Sequence, residues 1–254
     1  MQVYFLGTGT SQGIPVIGSD HPVCLSTDPK DKRLRVSVWL TWDDYSCVID
    51  CGPDFRTQML ASYCKKVDSI LYTHEHADHT AGLDDIRPFF FRQGDIPVYG
   101  HKRVLENLAI RFDYIFRTSN KYPGAPTVVP FEVRNDEPFA LGGKTVVPIN
   151  AWHDRLQVFG YRIEGFAYLT DIKTIEAAEL GKLRDLDVLV VNALREESHQ
   201  SHFNLKEALD FISLVAPRKA YLTHISHRLG FHADVSRKLP ENVFLAYDNL
   251  SITL

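Results

Sequence analysis

The segment Thr73-His74-Glu75-His76-Ala77-Asp78-His79 places four candidate metal ligands, His74, His76, Asp78 and His79, within six residues. Imidazole nitrogens and carboxylate oxygens suit zinc, manganese or iron. A tight loop lets His74 and His76 point to one side while Asp78 and His79 serve another, so two ions can share it. Buried histidines and carboxylates would be costly without a metal or hydrogen-bond partners, and a solvent-exposed His/Asp loop is the plainer alternative. The helical zinc-protease pattern His-Glu-x-x-His is absent because position 78 is Asp. Four ligands fill only part of two coordination shells, and three further candidates lie downstream. His153 follows the run ending at Ile149, Asp171 follows Tyr168-Leu-Thr, and His224 follows Tyr221-Leu-Thr. Two divalent ions about 3.5–4 Å apart lower the pKa of a bridging water and neutralise charge on a phosphoryl or carbonyl oxygen, which is hydrolytic chemistry.

Such residues must be delivered by regular elements. Short apolar runs bounded by Gly, Pro, Asp or Asn predict strands, among them 3–6, 36–41, 47–49, 69–72, 97–99, 145–149, 159–163, 166–169, 188–191, 220–222, 243–246 and 251–254. Helical spacing predicts helices over 55–63, 104–116, 174–183 and 205–215. The alternation is α/β, with more strands than helices. No Gly/Ser/Pro-rich linker divides the chain, so residues 1–254 are expected to form a single hydrolase domain. The run Ser69 to His76 has an echo in Lys219 to His227, each an apolar strand entering Thr-His, and two such strands suggest a pseudo-symmetric sandwich with its site at one edge.

Composition bounds the partners. Twenty-eight Lys and Arg against 32 Asp and Glu give a net charge of −4, and no block of like charges offers a broad nucleic-acid footprint. Cys24, Cys47, Cys51 and Cys64 are too few and too clustered for a disulfide framework, which points to a reducing compartment. No apolar run approaches the roughly 20 residues that span a bilayer, and Met1 to Gly7 lacks the features of a signal peptide. The expectation is a cytoplasmic protein that does not engage membranes.

The order His74-x-His76-x-Asp78-His79, His153, Asp171, His224 resembles the metallo-β-lactamase superfamily, whose fold is an αββα sandwich holding one or two metals. The resemblance implies that His74, His76 and His153 hold one ion, that Asp78, His79 and His224 hold the other, and that Asp171 bridges them with a water or hydroxide. An Asp at 171 resembles the binuclear hydrolases of the superfamily. The opening Leu6-Gly-Thr-Gly-Thr-Ser-Gln-Gly-Ile-Pro15 is neither a P-loop nor G-x-G-x-x-G. Together with Gly82-Leu-Asp-Asp-Ile-Arg87-Pro-Phe and Thr223-His-Ile-Ser-His227, it resembles the branch containing the phosphoribosyl cyclic phosphate phosphodiesterase of the carbon–phosphorus lyase pathway. Members of that branch carry Cys-x-Cys-x-x-Cys after the opening, which with a downstream histidine binds a structural zinc. Here the corresponding positions read Ser19, His21 and Cys24, with His227 retained. His21, Cys24 and His227 are therefore candidate ligands of an additional structural zinc, with Asp20 or His232 as candidates for a fourth position.

The resemblance also implies a non-ligand histidine that contacts substrate and acts as general acid. His202, just before the helix expected near Leu205, matches it, with His199 the less favoured twin. Asp78 is expected to orient the attacking water while ligating metal. Arg87, Tyr114, Arg117 and Lys121 lie in a stretch rich in aromatic and basic residues where a base or sugar could stack and a phosphate pair, although such residues more often make a helix face and its cap. The expected activity is that of a binuclear phosphodiesterase, with zinc or manganese favoured and iron an alternative, acting on small cyclic phosphates or nucleotide-like diesters. The alternatives are a thioester or lactone hydrolase, a transfer-RNA 3′-processing nuclease, and a regulatory module without catalysis. The absence of a long basic arm argues against folded RNA as substrate. A homodimer is compatible with this reading.

Overall fold

A computed structural model describes residues 1–254. The chain lays down β1 (Gln2–Gly7), β2 (Ser37–Trp42), β3 (Tyr45–Ile49), β4 (Ser69–Leu71), β5 (Ile96–Gly100) and β6 (Val128–Glu132) in one sheet. The second sheet follows with β7 (Phe139–Leu141), β8 (Lys144–His153), β9 (Leu156–Ile163), β10 (Phe166–Leu169), β11 (Thr174–Ile175), β12 (Val188–Asn192), β13 (Lys219–Thr223) and β14 (Val243–Leu245). The last strand, β15 (Ser251–Thr253), returns to the first sheet beside β1. The orders are β15-β1-β2-β3-β4-β5-β6 and β11-β8-β9-β10-β12-β13-β14, with β7 paired to β8. Pairing is parallel from β3 to β6 and from β10 through β12 and β13 to β14.

Alternation along these strands sorts the core into three layers. Phe5, Leu40, Ile49, Tyr161, Tyr168, Val188 and Val190 meet between the sheets. The opposite faces, Ala167, Leu169, Leu189 and Val191, pack against Leu205, Ala208, Phe211 and Ile212 of the helix Leu205–Val215. Val48, Ile70 and Val98 likewise meet Phe55, Met59, Val104 and Leu108 from the helices Phe55–Ala61 and Lys102–Arg111. This is the expected αββα sandwich. Strands β10 and β12 read as unbroken apolar runs because helix covers one face and the other sheet covers the second.

Helix Leu205–Val215 matches its predicted bounds and is fixed by a capping box. The Glu207 N–H donates to Asn204 Oδ1 at 2.8 Å, and the Asn204 N–H donates to Glu207 Oε2 at 2.9 Å. Two predicted helices change. The stretch 104–116 breaks at Phe112 into helices Lys102–Arg111 and Asp113–Phe116. The stretch 174–183 instead begins as β11, where Thr174 and Ile175 extend the sheet against Trp152 and Ala151, and continues as a 3₁₀ helix, Ala177–Leu183. The β-branched pair favours the sheet edge, and Glu179 then turns inward to accept the Asn150 N–H at 2.8 Å. No helix is long and apolar enough to cross a membrane. All four cysteines are buried and free.

Candidate metal centre

Strand ends deliver the site to one edge of the sandwich. β4 ends at Leu71 and the chain runs through Tyr72 and Thr73 into His74; β8 ends on His153 itself; β10 is followed by Thr170 and Asp171; β13 is followed directly by His224. Asp171 and His224 hold left-handed backbone conformations, with φ of 56° and 54°, and so does Asp50 after β3, at 65°. Non-glycine residues rarely adopt this region, and its use at three strand ends around one site is the kind of strain that functional geometry retains.

The ligand atoms of His74, His76, His153 and Asp171 all lie within 4.8 Å of one another, and so do those of Asp78, His79, Asp171 and His224. The two groups share Asp171, whose carboxylate faces members of both. Its Oδ2 lies 3.4 Å from His74 Nε2 and 3.0 Å from His79 Nε2, while its Oδ1 lies 2.8 Å from His224 Nε2. Asp78 Oδ2 approaches His79 and His224 at 3.2 and 3.6 Å. All seven residues expected from the sequence therefore meet.

Three rings have their outward nitrogen engaged. His79 Nδ1 is 2.7 Å from Asp50 Oδ2, His74 Nδ1 is 3.0 Å from Thr73 Oγ1, and His153 Nδ1 is 2.7 Å from the Ser201 carbonyl oxygen. The Thr73 hydroxyl donates to Asp50, so its oxygen is left to accept from His74. Each such partner takes up Nδ1 and turns Nε2 toward the site, the arrangement found around metal-binding histidines. The fit to a cation shows in the orphans as well: buried His79 Nε2 and His224 Nε2 stand close to carboxylate oxygens yet make no hydrogen bond of good geometry. Buried polar atoms of this kind are costly unless something satisfies them.

Charge divides the centre. Burial, reinforced by the neighbouring His79, holds His74 well below the ordinary imidazole range, and burial together with His153 lowers His76. Burial also acts to lower His79 and His224, but Asp78 and Asp171 outweigh it for both, with Asp50 adding to His79. His79 is raised well above its usual range, and His224 is raised to about 9. His74 and His76 thus offer neutral nitrogens directly, whereas His79 and His224 must give up a proton to take a cation.

Several positioning residues carried no sequence signal. Asp50 and Thr73 support the histidines from behind. Cys51 donates its N–H to the His79 carbonyl at 2.8 Å, and Gly52 lets the metal-binding loop approach, because a Cβ there would stand 2.0 Å from the Asp78 carbonyl oxygen. Glu75 is gripped in a fork by Arg103, Nε to Oε1 at 2.7 Å and Nη2 to Oε2 at 3.1 Å, and Arg111 Nη1 donates to the Glu75 carbonyl at 3.0 Å. Helix Lys102–Arg111 therefore holds the His74–His79 loop in place. His-x-His spacing announces the ligands, but a lone Asp before Cys-Gly has no such pattern.

His202 lies at the centre without joining either ligand set. Its Nε2 is 3.7 Å from Asp171 Oδ1, its ring stacks on His224 with centroids 4.9 Å apart, and its Nδ1 is 3.1 Å from His199 Nδ1. Burial pushes its pKa down to about 3, opposed by Asp171 and reinforced by His224 and His153.

The candidate structural zinc set does not assemble. The His21 and His227 rings are edge to face at 4.9 Å, but the ligand atoms of His21, Cys24 and His227 do not all come within 4.8 Å of one another. His21 Nδ1 accepts the Val23 N–H as the cap of the helix Pro22–Leu25, and Cys24 is buried with Ile14 and Val23 while its sulfur accepts the Val16 N–H. Of the candidates for a fourth ligand, Asp20 is exposed and His232 Nδ1 faces Arg33 Nη2 at 3.1 Å. The aromatic and basic stretch is likewise engaged internally. Arg87 pairs with Asp84 and Tyr122, Tyr114 donates to Asp84, Arg117 pairs with Asp113, and Lys121 donates to the Ile115 and Pro126 carbonyls. The plainer reading, a helix face and its caps, holds for these four.

Residues 45–225 match the Beta-lactamase superfamily domain. The chain belongs to the metallo-β-lactamase superfamily. Within it, a crystal structure described as a new diphosphatase from the PhnP family superimposes with a TM-score of 0.93 at 38% identity, covering 100% of this chain and 97% of that one. A superfamily relative from Porphyromonas gingivalis (strain ATCC BAA-308 / W83), named octanoyltransferase, is 38% identical over 252 residues, 98% of this chain and 51% of its own length. Ribonuclease Z of Bacillus subtilis (strain 168) is 29% identical over 170 residues, 65% of this chain and 49% of that protein. The chain thus spans about half the length of these curated relatives.

Proposed function

We propose that this chain is a binuclear metal-dependent hydrolase of small phosphodiesters, in which the bond cleaved is P–O–C or P–O–P. The observation that carries the reading is that Asp171 belongs to both ligand groups, its Oδ2 facing His74 of one and His79 of the other while its Oδ1 faces His224. His74, His76 and His153 would hold one ion, Asp78, His79 and His224 the other, and Asp171 both. Ions bound there supply an activated water and neutralise phosphoryl charge. The protein's own groups do the rest. Asp50, Thr73 and the Ser201 carbonyl fix the ring orientations, and Asp78 is placed to orient the attacking water. His202 touches the phosphate: an anion beside it offsets the burial that keeps it neutral, so that substrate raises its proton affinity and the acquired proton passes to the leaving oxygen.

Similarity to a protein described as a diphosphatase supports phosphorus as the centre attacked. The name octanoyltransferase belongs to a protein of which this chain covers 51%, and acyl transfer gains no support from the site. Ribonuclease Z similarity keeps RNA in view, against a net charge of −4 that disfavours many phosphate contacts.

The test is a comparison of kcat/KM on bis(p-nitrophenyl) phosphate, a ribose cyclic phosphate, a P–O–P diester, an acyl-glutathione and a precursor transfer RNA, with zinc, manganese and iron. The expected result is turnover of the small phosphorus substrates. Activity confined to the thioester, or to the RNA, overturns the assignment.

A further inference from the structure

Beside the metal centre lies a cleft of about 420 Å³ whose lining includes Asp78, Arg35, Ser11, Gln12, Val16 and Ile17. That volume falls within the range of small-molecule sites, and Asp78 makes the cleft continuous with the ligand set. Arg35 stands two residues before the start of β2. Asp54 secures it on one side: its carboxylate accepts the Arg35 backbone N–H at 2.8 Å and lies 3.0 Å from Nε. Neither terminal nitrogen of the guanidinium makes a hydrogen bond within the protein, and the buried Nε has no partner of good geometry. Nη1 lies close against Gly13, which holds a φ of +65° and has no side chain to cover it. A half-buried guanidinium with its fork unspent, next to a hydroxyl and an amide, has the donor set that binds a phosphate in two-point fashion. Ile17 is fully exposed, and with Val16 it gives the cleft an apolar border suited to a sugar or ring.

The geometry points to Arg35 as the specificity-determining residue for a second phosphoryl group adjoining the one attacked, so that the substrate class is a diphosphate diester. This deepens the phosphodiesterase reading and rests on it. In the reaction, water oxygen adds to one phosphorus and the bridging P–O bond breaks. The electron pair of that bond stays on the departing phosphate, beside the Arg35 cation. Two phosphomonoesters result, and the water's protons pass to the products or to solvent.

Binding separates this inference from the activity it builds on. The probes are adenosine 5′-(α,β-methylene)diphosphate, which resists hydrolysis, and adenosine monophosphate, titrated calorimetrically against the metal-loaded protein. Wild type is expected to prefer the diphosphonate. Arg35→Gln should reduce that preference by roughly 30-fold, the size of a charge-assisted hydrogen bond, and Arg35→Lys should restore part of it, with metal content and thermal unfolding unchanged in both. The kcat/KM ratio of a P–O–P diester to bis(p-nitrophenyl) phosphate should fall in parallel. Equal loss for both probes, no loss for either, or no preference in wild type overturns the role of Arg35. A preserved binding preference with no phosphoesterase activity overturns the hydrolase reading and leaves the subsite standing.

Discussion

Two histidine-rich corners of this molecule reach opposite outcomes. At the sheet edge, His74, His79 and His153 have Nδ1 held from behind by Thr73, Asp50 and the Ser201 carbonyl, and their free nitrogens converge with two carboxylates. Near the amino terminus, His21 spends its Nδ1 on capping a helix, Cys24 is buried among apolar side chains, and His227 packs edge to face on the His21 ring with nothing hydrogen-bonded to its Nδ1. Residue type does not separate the corners. Supporting partners do, since an imidazole becomes a preorganised ligand when something else fixes its far nitrogen.

The contrast can be broken at its strongest point by Asp171→Ala. That change leaves His79 and His224 facing one another around a lost carboxylate, and we expect loss of most bound metal and a fall in turnover beyond roughly 10⁴-fold, read by elemental analysis and kcat. His202→Ala sharpens the picture from the other side: metal content should stay at the wild-type level while kcat drops by roughly 10² to 10⁴-fold. Metal loss as complete as in Asp171→Ala would make His202 a ligand. Asp50→Ala tests the supporting partners alone, because Asp50 faces His79 Nδ1 and belongs to neither ligand set. Metal affinity should weaken by about 10- to 100-fold, with recovery in part for Asp50→Asn. Arg103→Ala should lower stability by only about 1 kcal/mol, since the Glu75 pair is partly exposed. Cys24→Ser is the smallest change: the number of ions per chain should not move, and a loss of one would restore the structural zinc.

Much of this was legible in the sequence for a physical reason. Apolar runs that end in His or Asp mark strands whose last residue reaches a sheet edge, and Phe166–Leu169 before Asp171 has the bounds expected of it. The helix 205–215 was equally plain from its apolar spacing, and the Asn204–Glu207 box that fixes its start came to light only in the structure. Asp50 was silent, because a buried carboxylate after a strand looks like any turn residue until its left-handed backbone and the facing His79 are seen together. The same holds for β11, where helical spacing in 174–183 lost to an open sheet edge beside Trp152. The Cys-x-Cys-x-x-Cys correspondence at Ser19, His21 and Cys24 was misleading, since alignment with a ligand position does not bring side chains together.

The most direct test of the central claim is the metal content of carefully prepared protein, measured by elemental analysis before and after reconstitution. About two divalent ions per chain are expected, both lost in Asp171→Ala. Fewer than about one ion per chain, with no uptake on reconstitution, would contradict it.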